Sequence, residues 1–288
     1  MDPFSPEVAF HVKRWVELGR SVRSLTDQRP LSGRWGWYMD SPSGVVGKAA
    51  ALLRALSSGT DTGVSTTSLA KSTGLPRATA HRLLETLAGE GLVDRDGQTG
   101  GWFLGPETYV LGMAAATRYD MTSEARESVH RLARETGESA FFSVRRGDET
   151  VVLIREDGDF PIRSHVLNEG ARFPLGVVSA GLAILAHLPS REIDTYLSRA
   201  DLTRNWGPHH TEDEIRAHLS DARRNGWALN PGHVVAGSWG MAAAVFDNAG
   251  RPEAALTLTG IEQRFGAERQ PALGRLLLQE AHQLGRRA

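Results

Sequence analysis

The fold class this sequence predicts is α+β in two domains, a small helical one and then a larger one built on an antiparallel sheet. Three observations predict it. The chain has 288 residues, enough for two domains of ordinary size. Residues 45–105 read as three helical segments followed by two short strand-like runs. From residue 139 onward, apolar runs joined by tight turns alternate with helical stretches, as hairpins mixed with helices do.

Residues 1–44 form an N-terminal extension of different texture. Val8, Val12, Trp15, Gly19 and Val22 recur at helical spacing, but RPLSGRWGWYMDSPSG (29–44) has the Gly, Pro and Ser content of a loop. The segment is expected to be poorly ordered and to lie upstream of a start near Met39, rather than to be an arm reaching a partner. From Val45 the pattern becomes regular. GKAAALLRALSS (47–58) is helical by propensity. Ser65 can cap a second helix, TTSLAKS (66–72), and Gly74 can end it in the left-handed conformation that glycine adopts cheaply. Pro76 suits the start of a third helix, RATAHRLLETLAGEG (77–91), whose Ala80, Leu83, Leu84 and Leu87 form an inward face. LVDRDGQTGGWFLG (92–105) reads as two strands around a polar turn. Two helices of about ten residues joined at a glycine turn make a helix-turn-helix, and the hairpin adds a wing.

PETYVLGMAAATRYD (106–120) is a helical connector, so residues 106–121 are expected as a linker and 122–288 as the second domain. TSEARESVHRLARETG (122–137) is an amphipathic helix ending at Gly137. SAFFSVRRGDETVVLIRE (139–156) holds two strands about the turn RRGDE, and FPIRSHVL (160–167) suggests a third. Helices are expected at 178–188, 190–199 and 211–225. Strands follow at 239–247 and 253–260 around NAGRP, and a closing helix covers 267–286.

Composition narrows the function classes. A 40% hydrophobic and 23% charged content is that of a folded globular chain, not of a disordered one. The net charge of −1 gives no general attraction to polyanions, so contact with nucleic acid would need a local basic arrangement. The absence of cysteine excludes disulfides, thiolate metal sites and cysteine nucleophiles. No apolar run approaches the roughly 20 residues of a membrane span, and Asp2, Pro3 and Glu7 are not the start of a signal peptide, so a cytoplasmic protein is expected.

The third helix carries the chemistry. Its outward positions hold Arg77, Thr79, His81 and Arg82. Arginine meets guanine edges bidentately, and Thr and His suit phosphate or base contacts. Arg95, Gln98 and Thr99 fall on the wing, where a hairpin tip can touch the backbone or the minor groove. The same residues would equally suit a solvated helix and turn. Charge does not decide, since residues 45–118 hold seven basic against six acidic side chains.

The stretch SLAKSTGLPRATAHRLLETLAGEGLVDRDGQTGGWFLGPETYVLG (68–112) resembles the DNA-binding domain of the IclR family of regulators, most specifically in GLPRATAHRLL followed by EGLV and TGGWFLGP. ARESVHRLARETGESAFFSV (125–144), FPLGVVSAGLAILA (173–186) and AAAVFDNAGRPEAALTLTG (242–260) are similar to the family's C-terminal half. The resemblance covers about residues 45–288. It implies a winged helix-turn-helix domain (45–105), a linker helix and a GAF-like effector domain with an antiparallel sheet, assembled as homodimers or homotetramers on double-stranded operator DNA. Repression is the expected direction of control.

The resemblance also implies an effector pocket between the sheet and FPLGVVSAGLA. Its residues would be Ile162, His165, Phe173, Ser179, Ala180, Asn230, Gly240, Thr257 and Thr259. Two features suit this without the family. Ser179 to Gly181 begin a helix whose free amides can hold an anion. Thr257 and Thr259 alternate along a strand and so share a face, although Thr is also an ordinary strand residue. The sequence departs from the family at GWALNPGHVVAGSWGMAAAVF (226–246). There Asn230, Pro231 and His233 replace acidic residues, and Gly240 replaces a cysteine. Gly240 leaves volume and Trp239, turned inward, would supply a flat wall, so a larger effector, aromatic or carboxylate, is expected.

Other signals carry less. His209, His210, Glu212, Glu214 and His218 suggest a metal, but adjacent histidines rarely share one ion and His210 to His218 exceeds the spacing of helix sites. They are expected in a turn before an acid-capped helix. Gly237-Ser238-Trp239-Gly240 is not a nucleophile elbow, and no phosphate-binding glycine loop appears, so no cofactor is expected. The competing function is a small-molecule-binding enzyme or carrier whose N-terminal helices serve oligomerisation. No nucleophile–base pair stands behind it.

Overall fold

The computed structural model describes residues 44–57, 62–116, 121–162 and 167–286. The extension up to residue 43 and His165 lie outside the described residues.

Helices α1 (Gly44–Ser57), α2 (Thr66–Thr73) and α3 (Arg77–Gly89) pack around the buried Leu52, Leu69 and Leu84. Ser65 caps α2 by accepting from the Ser68 amide at 3.1 Å. Gly74 closes it at φ 69°, a conformation that costs a side chain dearly, and this sets the turn into α3. Strands β1 (Val93–Arg95) and β2 (Trp102–Leu104) pair antiparallel as the wing. Trp102 is buried among the three helices, and its indole Nε1 donates to the Thr66 hydroxyl at 2.9 Å. The wing is thereby fastened to α2. Helix α4 (Pro106–Ala116) follows and buries no residue of its own.

The rest of the chain is a six-stranded antiparallel sheet covered on both faces. Helix α5 (Met121–Thr136) leads into β3 (Ser139–Arg146), β4 (Glu149–Glu156) and the short β5 (Arg172–Pro174). Helices α6 (Ser179–Ala186), α7 (Ser190–Leu197), α8 (Thr203–Trp206) and α9 (Glu212–Asn225) come next. Then β6 (Ala228–Pro231), β7 (Ser238–Phe246), β8 (Pro252–Ile261) and α10 (Gln270–Gly285) complete the chain. The strand order is β5-β4-β3-β8-β7-β6.

Period-two alternation assigns the faces. Along β7, Met241, Ala243 and Val245 join the cluster under α5 and α10, while Ala242 and Ala244 join the cluster that includes α6 and α9. With both faces covered, β7 and β8 read as almost continuous apolar runs rather than as alternating ones. Below the sheet, the buried Glu138 is paired by Arg264 and by Arg269, whose Nη1 donates at 2.5 Å. Both guanidiniums also donate to the Thr136 carbonyl, satisfying the end of α5.

Two features differ from the sequence reading. The strand expected at 160–167 is not found among its described residues: Pro161 and Ile162 bend outside the sheet, and proline has no amide to give a ladder. Its place beside β4 is taken by β5, set in register by the Gly170 amide donating to the Val152 carbonyl at 2.8 Å. Strand β6 is a further difference, because ALNP carries no strand pattern of its own. It is held by pairing with β7, and Pro231 is tolerated because β6 is the sheet edge.

Candidate nucleic-acid interface and ligand cavity

The turn at Gly74 leaves the first turns of α3 projecting. Arg77, His81 and Arg82 are exposed there, whereas Thr79 is half-buried against the domain. On the wing, Arg95, Gln98 and Thr99 are exposed. The wing tip is pre-ordered by Asp96, whose Oδ1 accepts from the amides of Gln98 and Thr99 at 3.0 and 2.6 Å and from the Thr99 hydroxyl at 2.8 Å. These bonds, the Thr99 amide above all, hold the Asp96 carboxyl below the usual carboxylate range. The Thr99 hydroxyl therefore works within the turn, while Gln98 is free to reach outward.

Sequence reasoning missed Glu85. Its Oε1 lies 3.6 Å from His81 Nδ1 on its own helix and 3.6 Å from Arg95 Nη1 on the wing. Arg95 also lies over the Trp102 ring, 5.3 Å from its centroid. One carboxylate thus gathers a helix residue and a wing residue onto the same surface. The i, i+4 spacing of His81 and Glu85 was the available signal.

In the second domain a cavity of about 30 Å³ opens between the start of α6 and the β6–β7–β8 end of the sheet. Five of the expected residues border it: Ser179, Asn230, Trp239, Gly240 and Thr259. Leu167, Val178, Val234 and Ser238 complete the lining and were not foreseen. Gly240 faces Thr259 across the β7–β8 pair. Asn230 is fixed at both ends: its Nδ2 donates to the Val177 carbonyl at 2.7 Å, and its Oδ1 accepts from the His233 amide at 3.0 Å. Val178 stands at the N-cap of α6 and offers no capping oxygen, so the first-turn amides lack a side-chain partner.

The remaining expected residues are placed elsewhere. Ile162 is exposed at 57% and does not border the cavity. Phe173 lies in the core, its ring 5.5 Å from that of Trp206, and Ala180 is buried in the same cluster. Thr257 sits one pleat deeper than Thr259, and both hydroxyls are buried with no hydrogen-bond partner among the described residues. Unmatched buried hydroxyls are uncommon and costly, about 1–3 kcal/mol each, which makes Thr259, at the cavity edge, suited to a polar ligand group. Trp239 borders the cavity but packs against the cluster on the opposite face, because alternation along β7 sends it away from Gly240. It is not the inward wall the sequence suggested.

His209 and His210 occupy a single 3-10 turn, Pro208–His210, ahead of α9. Thr211 caps α9, and Glu212, Asp213 and Glu214 fill its first turn, as expected.

Comparison with known proteins agrees with this architecture. Residues 45–97 match the family model described as IclR helix-turn-helix domain, and residues 113–286 match Bacterial transcriptional regulator IclR C-terminal. The chain is 29% identical over 223 residues to the HTH-type transcriptional regulator BhcR of Paracoccus denitrificans, covering 77% of this chain and 80% of that one. It is 29% identical over 212 residues to the HTH-type transcriptional repressor AllR of Klebsiella pneumoniae, covering 73% and 77%. Among solved structures, an IclR homolog of Microbacterium hydrocarbonoxydans complexed with 4-hydroxybenzoate has the same fold, with a TM-score of 0.67 at 22% identity over 85% of this chain and all of that one.

Proposed function

The chain belongs to the IclR family of bacterial transcriptional regulators, and from that premise we propose that it represses transcription as a dimer on operator DNA, under control of a small aromatic carboxylate. It is a transcriptional regulator with an N-terminal helix-turn-helix and a C-terminal effector-binding domain. We assign DNA binding to residues 45–105, linkage to 106–121 and effector binding to 122–288. The observation that carries the DNA assignment is the exposed row Arg77, His81 and Arg82 on α3, set beside Arg95 of the wing. Arg77 and Arg82 would read base edges, while Arg95, Gln98 and the first residues of α3 would hold phosphates.

One short recognition helix contacts too few bases for tight specific binding, and paired half-sites are the usual remedy. Helix α4 supports a two-chain reading: Tyr109 and Met113 are 70% and 58% exposed, beside the exposed Val110 and Leu111. A helix left apolar on several sides in this way favours burial against a second copy. For the effector, the uncapped start of α6 suits a carboxylate and the Thr259 hydroxyl suits a polar substituent. At about 30 Å³ the cavity holds roughly one water, so a ring enters only if the loop 231–237 moves aside.

Two titrations test the reading. Calorimetry with 4-hydroxybenzoate on the full chain should give a one-to-one isotherm that Gly240→Leu abolishes. Fluorescence anisotropy with DNA from upstream of the gene should show binding that 4-hydroxybenzoate weakens. If 4-hydroxybenzoate neither binds nor alters DNA binding, the effector assignment falls; if the DNA fails to bind, the operator assignment falls.

A further inference from the structure

The loop between β6 and β7 borders the cavity through Val234 and carries a histidine into a cluster of three others. The His233 ring stacks on His209 at 4.4 Å and on His218 at 5.3 Å between centroids, and meets His210 edge-on at 6.3 Å. Among the described residues, no three metal-type side chains are arranged to hold an ion, so coordination does not account for this packing. The cluster is tied to the cavity through Asn230. Its Oδ1 accepts from the His233 amide at 3.0 Å, and its Nδ2 donates at 2.7 Å to the Val177 carbonyl, which also lies 3.4 Å from His210 Nε2. Asn230 borders the cavity, and Val177 immediately precedes the N-cap of α6.

We propose that His209, His210, His218 and His233 form a proton-sensitive latch that holds the 231–237 loop over the cavity: stacked neutral rings keep it shut, and protonation of His233 opens it. The inference rests on the cavity being the effector site, and it adds that acid pH loosens that site. Neutral imidazoles stack without penalty, whereas a charge on the central ring would face three further imidazoles with Glu214 alone to offset it.

The surrounding charges leave His233 poorly placed to keep a proton. His209 and His210 face it from the turn before α9, and His218 and Glu214 face it from α9; Asp221, farther along, acts on His218. Glu214 lies 3.6 Å from His209 Nδ1, so its charge is directed to that ring. Burial, reinforced by His218, His209 and His210, pushes His233 down to about 4. Burial likewise lowers His210 and His218. An imidazole released to water titrates near 6.5. Opening therefore takes up a proton at pH values between about 4 and 6.5, and the open fraction grows as pH falls through that window; above about pH 7 it is constant. Because His233 keeps some contact with water, screening trims the effect, and about a tenfold rise in opening is expected between pH 7.5 and 5.

The test is hydrogen exchange by mass spectrometry on the full chain at pH 7.5, 6 and 5, with labelling times scaled for the intrinsic rate of amide exchange. Protection over 231–237 should fall about tenfold from pH 7.5 to 5, while β8 peptides stay protected. His233→Phe keeps a ring in the stack without a titrating nitrogen, so the loop should lose its pH response while circular dichroism stays unchanged. Should that variant misfold, His218→Gln, which removes one stacked ring at a half-buried position of α9, should blunt the response instead. Constant loop protection in the parent, or an undiminished response in His233→Phe, would overturn the latch. No ligand is used, so failure of the latch reads differently from a missing 4-hydroxybenzoate isotherm.

Discussion

Gly240 stands opposite Thr259 across the β7–β8 pair, and a side-chain carbon added to it would come 3.0 Å from the Ser179 hydroxyl. The glycine is what keeps the cavity open between sheet and helix. Gly240→Leu more than fills the small cavity there and is expected to remove 4-hydroxybenzoate binding while leaving DNA affinity within twofold. Overpacking should lower stability by about 1–3 kcal/mol. Calorimetry beside thermal melting checks both, and undiminished ligand affinity would move the pocket elsewhere.

The two threonines of β8 should separate by variant. Thr257 and Thr259 each bury a hydroxyl without a partner among the described residues, so replacing either with Val removes a desolvation cost and should stabilise the free protein by about 1 kcal/mol. Only Thr259→Val should also weaken ligand binding, by about 0.5–1.5 kcal/mol, since only Thr259 borders the cavity. A destabilised Thr257→Val, measured by urea unfolding, would show that its hydroxyl has a partner after all.

Glu85 places a negative charge between His81 and Arg95 on the surface assigned to DNA. Glu85→Gln removes a repulsion with phosphate, and non-specific DNA affinity should rise about threefold with a salt slope steeper by up to about one. Weaker binding would mean instead that Glu85 acts by positioning Arg95. Anisotropy titrations at several salt concentrations distinguish the two.

Helix α4 exposes Leu111 at 53% and Met113 at 58% within a single chain. The double replacement Leu111→Glu and Met113→Glu should convert dimers to monomers in light scattering without lowering the melting temperature of the monomer core. An unchanged mass would take α4 out of the contact between copies.

Much of this was legible in the sequence because local chemistry fixed it. Ser65, Gly74 and the Ala80–Leu84–Leu87 face each dictate a cap, a turn or a buried stripe without distant help, and the structure has all three. The cavity lining is legible where it follows strand alternation, as at Gly240 and Thr259, and not at Trp239, which the same alternation turns to the opposite face. Strand β6 and the edge strand β5 take their conformation from partners far along the chain, so their own residues hold no pattern. The same holds for His233, whose three ring neighbours lie 15–24 residues earlier in the sequence and meet it only through tertiary packing.

The central claim is that α3 and the wing hold DNA through their cationic face, and the salt dependence of binding tests it most directly. Anisotropy titrations of the full chain on the upstream DNA should lose about a thousandfold in affinity between 50 and 200 mM salt, as about six neutralised phosphates require. Arg77→Ala and Arg82→Ala should each weaken specific binding by about 1–3 kcal/mol with the melting temperature unchanged. Affinity that ignores salt, or that survives both arginine replacements intact, would contradict the account.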